Sequence, residues 1–297
     1  MSAAQQSTSK FIQVRGRKCH LRIWGGEDAP PVLLLHGAMD TSASYQFVVD
    51  HLPAAYQYVA PDWCGYGRSE PVYCHWYPDY VADLDAIAQA ISPAHPLDVV
   101  GHSRGGNAAC LYAGARPERV RNLITIEGLG FSFARDGADE VTACADWLSE
   151  QRTRRQPRAY DSIEALAASL QRNNPRLAPE RARLLAREGA QDAGHGKLRL
   201  ASVFVPREKE GVRMTLDGAM AFWRKIAARV CYVYGDLSPF TQYCAENPAE
   251  LPRRKACFSN WADVEIKGAG HMVQYDQPEQ LAREIRRFLK LSGAAHC

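Results

Sequence analysis

Eight residues, Val99-Val100-Gly101-His102-Ser103-Arg104-Gly105-Gly106, restrict this chain more than any others. An apolar, strand-like run delivers a serine onto a turn bracketed by glycines, and the stretch 104–115 that follows reads as a helix. Glycines two residues either side of Ser103 remove the Cβ atoms that would collide in so sharp a bend. They also let the serine itself take a strained backbone conformation. Its hydroxyl then projects from the tip of the turn, where the first amides of the helix can stabilise negative charge. This is the local architecture of a nucleophile elbow.

A serine hydroxyl is a weak nucleophile at neutral pH unless a base accepts its proton. His271 fits that role, in Gly268-Ala269-Gly270-His271-Met272, after the apolar alternation of Val264-Glu265-Ile266 and before an amphipathic helix over 278–289. Its small neighbours allow the imidazole to swing toward an adjacent strand end. The other histidines fit less well: His102 is read as facing away from the elbow, His20 and His51 belong to early scaffold, and His195 and His296 lie in polar stretches. An acyl-transfer site also needs two N–H groups where the tetrahedral intermediate gathers charge. The apolar run Val32-Leu33-Leu34-Leu35 ends in His36-Gly37-Ala38, which nominates the Ala38 amide as one donor and the Arg104 amide, just after the serine, as the other. His36 is read as an organiser of that loop through hydrogen bonds rather than as a base.

Along the chain, 11–14 and 20–24 form an expected antiparallel pair. Strands are expected at 32–35, 58–61, 97–100, 122–126, 230–234 and 263–267, with helices between them. One of these helices, 78–91, begins with proline and acids and places Tyr80, Leu84, Ile87 and Ile91 on one face. The result is a mostly parallel sheet with helices on both faces, whose ligands bind at the carboxyl ends of the strands. One interval breaks the rhythm. About a hundred residues, 131–227, separate two strands that a short crossover would normally join. We read them as a helical cap, with helices at 139–151, 162–171 and 178–188, inserted into a core made of 1–130 and 228–297. A cap above the elbow would shape the pocket, and Trp63, Phe131, Phe133 and Trp223 are candidates to line it.

These motifs in this order resemble the α/β-hydrolase superfamily: the His36-Gly37-Ala38 loop, Asp62-Trp63-Cys64-Gly65-Tyr66-Gly67-Arg68-Ser69, the Ser103 elbow and the His271 loop. Within it, Tyr77-Pro78-Asp79-Tyr80-Val81-Ala82-Asp83 and Ile126-Glu127-Gly128-Leu129-Gly130 are most similar to serine-hydrolase-like proteins and carboxylesterases. Cys64 departs from the superfamily pattern, which has proline there. The resemblance implies an α/β-hydrolase fold and a triad acid with two candidate positions. Asp236, after Val230-Cys231-Tyr232-Val233-Tyr234-Gly235, lies in the commonest location, although the usual spacing puts Ser238 in the acidic slot. Glu127, 24 residues after Ser103, lies where haloalkane-dehalogenase-like members carry their acid. A carboxylate at the end of a buried strand also needs a partner, which an imidazole would supply, so Glu127 is preferred. The implied activity is hydrolysis of an ester or related acyl bond of a small molecule. Receptor-like ligand binding and carbon–carbon or peroxidative chemistry by the same triad are the alternatives. The serine separates the chain from relatives that use a carboxylate nucleophile.

Composition narrows the field further. With 297 residues, 46% of them hydrophobic, the chain can bury a large single core. A net charge of +3 and the lack of a nucleic-acid motif argue against a nucleic-acid partner. The arginines at 152, 154, 155, 158, 176, 181, 183 and 187 are accordingly read as a solvated helical face. No run approaches the roughly 20 apolar residues of a membrane span, and residues 1–10 lack a secretory apolar segment, so a cytoplasmic location is expected. Nine scattered cysteines without a C-x-x-C pair suggest neither a disulfide framework nor a zinc site. No metal or cofactor is expected, and the oligomeric state is left open.

Overall fold

The computed structural model describes residues 4–72, 76–129, 140–152, 158–201 and 214–292. Its centre is an eight-stranded sheet of β1 (Ser7–Val14), β2 (Arg17–Trp24), β3 (Pro31–Leu35), β4 (Gln57–Pro61), β5 (Leu97–His102), β6 (Val120–Ile126), β9 (Arg229–Gly235) and β10 (Trp261–Ile266). In space the order is β1-β2-β4-β3-β5-β6-β9-β10; β1 to β4 meet through antiparallel pairings of β2, and every later pairing is parallel. Every strand expected from the sequence is present.

Both faces of the parallel part are covered, which is why its strands read as continuous apolar runs rather than alternating ones. Alternation reappears in what each side chain touches. Leu33, Leu35, Val99, Leu123 and Tyr232 face a core built with α2 (Tyr77–Ile91) and α3 (Arg104–Ala115). Val32, Leu34, Val100, Ile124 and Val233 face the opposite core, with α1 (Gln46–Val49) and α11 (Pro278–Leu289). Helix α11 buries Leu281, Ala282, Ile285, Phe288 and Leu289 and leaves its charged residues outside, so its amphipathic sequence decides its placement.

The interval read as a cap contains α4 (Glu140–Arg152), α5 (Ile163–Asn173) and α6 (Pro179–Gly189), close to the expected helices. It differs from a purely helical cap in two respects. A hairpin of β7 (Ala190–Gly194) and β8 (Lys197–Leu200) follows α6, turning at His195, which has a positive φ between two glycines in the same region. Helix α7 (Leu216–Trp223) packs on the core, with Ala219, Met220 and Trp223 buried among residues of α2 and α3. Trp223 is therefore core, not a pocket wall, while Phe131 and Phe133 lie outside the described residues, as do Arg154 and Arg155. Helices α8 (Pro239–Glu246) and α9 (Glu250–Lys255) follow β9, and the short α10 (Val273–Asp276) precedes α11. Among the described residues, no helix is long and apolar enough to cross a membrane.

The turn 62–69 is tied down by a buried carboxylate. Asp62 accepts hydrogen bonds from the backbone N–H of Ser42 at 2.7 Å and of Arg68 at 3.0 Å, and from His20 Nδ1 at 2.8 Å. Burial works to raise its pKa, but the hydrogen bonds and charge interactions of its partners, His20 foremost, together outweigh that and hold it down at about 2. A depressed folded-state pKa contributes stability above the ordinary aspartate value of about 4, and that contribution is lost as pH falls toward 2. Asp62→Asn is therefore expected to be less stable than the parent protein at pH 7. The gap in urea midpoint should narrow as pH is lowered from 4 to 2, and a gap independent of pH would contradict this account.

Candidate active site

Ser103 sits between β5 and α3 with φ 50° and ψ −116°, a region that a residue with a Cβ occupies only under strain. Its N–H donates to the Ile126 carbonyl at 2.7 Å, so the neighbouring strand β6 helps hold the turn. The flanking glycines are required by space. A Cβ on Gly101 would lie 2.7 Å from the backbone of Gly105 and Gly106, and one on Gly105 would run into the Leu35 carbonyl.

The loop after β10 brings His271 over this serine. His271 Nε2 lies 3.0 Å from Ser103 Oγ, and Nδ1 lies 3.4 Å from Glu127 Oε2. A carboxylate accepts only, so Nδ1 carries the ring proton and Nε2 is left to accept from the serine hydroxyl. Glu127 directly follows β6 at φ 54°, with its side chain 1% exposed. Its N–H donates to the Val233 carbonyl at 2.9 Å, and its Oε1 accepts the Gly235 N–H at 2.8 Å. The second carboxylate oxygen is thereby aimed at the imidazole. The His271 side chain is 41% exposed, so solvent reaches the imidazole.

Asp236 is placed elsewhere. Its Oδ1 accepts the N–H groups of Gly268 at 2.8 Å and Ala269 at 3.3 Å, so it shapes the start of the histidine loop without touching the imidazole. Ser238 caps α8, accepting from the Thr241 N–H at 3.1 Å. Of the two acids nominated by the sequence, the structure brings Glu127 to His271.

The loop 36–38 abuts the elbow: a Cβ on Gly37 would lie 3.1 Å from the Ser103 Cβ. Ala38 follows it, half-buried, and Arg104 opens α3. His36 is fully buried, receives the Trp63 N–H on Nε2 at 3.1 Å and bonds the Gly37 carbonyl through Nδ1 at 2.8 Å. Burial lowers its pKa, and the neutral ring organises this loop as the sequence suggests. Trp63 is buried too, its indole N–H donating to the His36 carbonyl at 2.9 Å, so it serves the same loop. The Arg104 guanidinium lies over the rings of Tyr77 and Tyr80 and donates to the Tyr80 hydroxyl at 2.9 Å.

His102 does not face away from the site. Its Nε2–H donates to the His271 carbonyl at 2.8 Å, and its Nδ1 faces Gln274 Nε2 at 3.2 Å. Burial holds its pKa well below the ordinary histidine value, so the ring stays neutral and keeps one acceptor and one donor. Gln274 also reaches Asp40, whose carboxylate accepts the Tyr275 hydroxyl at 2.7 Å. These buried contacts join the loop after β3 to α10, which directly follows the loop carrying His271. Nothing in residue spacing marks them, because they link positions 234 and 235 residues apart. Two arginines expected on a solvated face are also partnered. Arg176 pairs with Asp276 at 2.8 Å, and Arg181 donates to the Tyr275 carbonyl at 2.7 Å. Among the described residues, no group of three or more His, Cys, Asp or Glu is arranged to hold a metal ion.

Comparison with known proteins gives a consistent picture. The sequence profile of the alpha/beta hydrolase fold matches residues 30–278. The chain is 26% identical to the serine hydrolase-like protein of Danio rerio over 285 residues, which cover 91% of this chain and 84% of that one. It is also 26% identical to the lipase LipV of Mycobacterium tuberculosis, over 91% of this chain and 97% of the lipase. Among solved structures, the thioesterase domain from the curacin biosynthetic pathway superposes with a TM-score of 0.80 at 26% identity, covering 94% of this chain and 99% of that domain.

Proposed function

The chain belongs to the alpha/beta hydrolase fold family, and from that premise we propose that it is a serine hydrolase cleaving an ester or related acyl bond of a small molecule. The observation that carries this reading is the 3.0 Å contact between Ser103 Oγ and His271 Nε2, made by a serine held at positive φ. A buried carboxylate on the other ring nitrogen supports it. Relatives named as a lipase and a thioesterase agree with acyl chemistry.

In this mechanism His271 Nε2 takes the Ser103 proton as Oγ forms a bond to the substrate carbonyl carbon. The carbonyl oxygen gains negative charge and is held by the N–H groups of Ala38 and Arg104. Collapse of this intermediate breaks the bond to the leaving alcohol or thiol, which departs with the proton from His271. Water then gives a proton to His271 and attacks the acyl-serine. The acid is released and the serine hydroxyl restored. Glu127 keeps the imidazole in the useful tautomer and stabilises its cation. The cap segment ahead of α7 would shape the acyl or alcohol pocket above the serine.

Two measurements on the intact chain test the reading. A panel of p-nitrophenyl esters of rising acyl length should show turnover with a length preference set by the pocket. A fluorophosphonate should add its mass to the peptide that contains Ser103. Absence of both turnover and labelling would overturn the proposal in favour of a ligand-binding protein.

A further inference from the structure

The connection between α5 and α6 reaches the loop that carries His271, and a single buried carboxylate joins them. Asp276 ends α10, and its side chain is 1% exposed. Its Oδ2 accepts the Gly270 N–H at 2.8 Å and the Arg176 Nε–H at 2.8 Å, while its Oδ1 accepts from Asn174 Nδ2 at 2.7 Å. Gly270 directly precedes His271, so one oxygen is shared between the histidine loop and the insertion. The fit leaves no slack: a Cβ on Gly270 would run into the Arg176 guanidinium. Alongside this contact, Arg181 donates to the Tyr275 carbonyl at 2.7 Å, and Tyr275 is buried among Phe47, Leu166, Leu177 and Leu185. A carboxylate this buried is unfavourable without charged or hydrogen-bonding partners. Two of its three partners come from the insertion.

We propose that Asp276 is a positioning residue through which docking of the α5–α6 segment sets His271 relative to Ser103. The inference rests on the serine-hydrolase reading above. In consequence, the insertion does more than wall the pocket: detaching it at Arg176, with the bond from Gly270 to Asp276 left in place, loosens the 3.0 Å contact between base and nucleophile. Chemistry at Ser103 then slows even toward a reagent too small to touch the insertion.

The test compares Arg176→Ala, Arg176→Lys and Asp276→Asn with the parent chain. The readouts are the rate of labelling by a small fluorophosphonate, kcat and KM on p-nitrophenyl acetate, and the melting temperature. Arg176 is 43% exposed, so its replacement should leave the chain folded. Arg176→Ala should slow labelling and lower kcat by about tenfold or more, as expected when a reacting pair is displaced by a fraction of an ångström, with KM changed little. Arg176→Lys, which restores a cationic donor, should regain most of the rate. Asp276→Asn removes the charge that Arg176 pairs with and presents its N–H group either to the Asn174 donor or to the donors of Arg176 and Gly270, so it should fall at least as far as Arg176→Ala. If both Arg176→Ala and Asp276→Asn melt earlier yet label at the parent rate per folded molecule, the contact is only structural and the inference fails, while the serine-hydrolase reading stands. If the parent chain itself is not labelled, that reading fails and the inference with it.

Discussion

Ser103→Ala should lower ester turnover by about four to six orders of magnitude while leaving the far-ultraviolet circular dichroism spectrum unchanged. Alanine tolerates the elbow no worse than serine does, since both carry a Cβ at the same positive φ, and the fold around it is held by backbone contacts that the substitution keeps. What disappears is the only atom that faces His271 Nε2 at 3.0 Å among the described contacts. His271→Ala should produce a loss of similar size, because nucleophile and base act as one unit, and the double variant should be little worse than either alone. Near-parental turnover in folded Ser103→Ala would mean that the reaction uses another nucleophile. A strictly additive double variant would mean that the two residues act independently.

Glu127→Gln is expected to cost roughly a hundredfold or more in kcat. The amide can still accept the Gly235 N–H through its oxygen, as Glu127 Oε1 does at 2.8 Å, so the local shape survives. Its nitrogen, however, then faces His271 Nδ1 and favours the tautomer with the proton on Nε2, which cannot receive the serine proton. The negative charge that stabilises the imidazolium is lost as well. Asp236→Asn should be mild, because its oxygen still serves the N–H groups of Gly268 and Ala269. Both variants are assayed on one activated ester with folding checked in parallel. A severe loss in Asp236→Asn beside a mild Glu127→Gln would move the acid to the loop after β9.

The elbow, the helix 104–115 and the parallel strands were legible because their causes are short-ranged. Glycine sterics, apolar runs buried on both faces and the amphipathic stripe of α11 act within a few residues of themselves. The hairpin β7–β8 is not legible in the sequence, since Ala190–Gly194 and Lys197–Leu200 carry little strand propensity. Position in the chain groups helix α7 with the cap, whereas the burial of Ala219, Met220 and Trp223 assigns it to the core.

Sequence alone determined the nominated nucleophile, base and loop amides, because each follows from residue types at fixed local spacing around Ser103, His271 and His36-Gly37-Ala38. It could narrow the acid to two carboxylates but not place them. Glu127 and Asp236 both follow strands that end on the same side of the sheet, and β6, β9 and β10 are neighbours in it. Which one meets the imidazole depends on the path of the loop 267–271, and that path is set by contacts from outside the loop: Asp236 on Gly268 and Ala269, Asp276 on Gly270, and His102 on the His271 carbonyl. Hydrogen bonds between residues 6, 32, 33 and 169 positions apart share no spacing and leave no periodicity in the chain, so only the tertiary structure decides them.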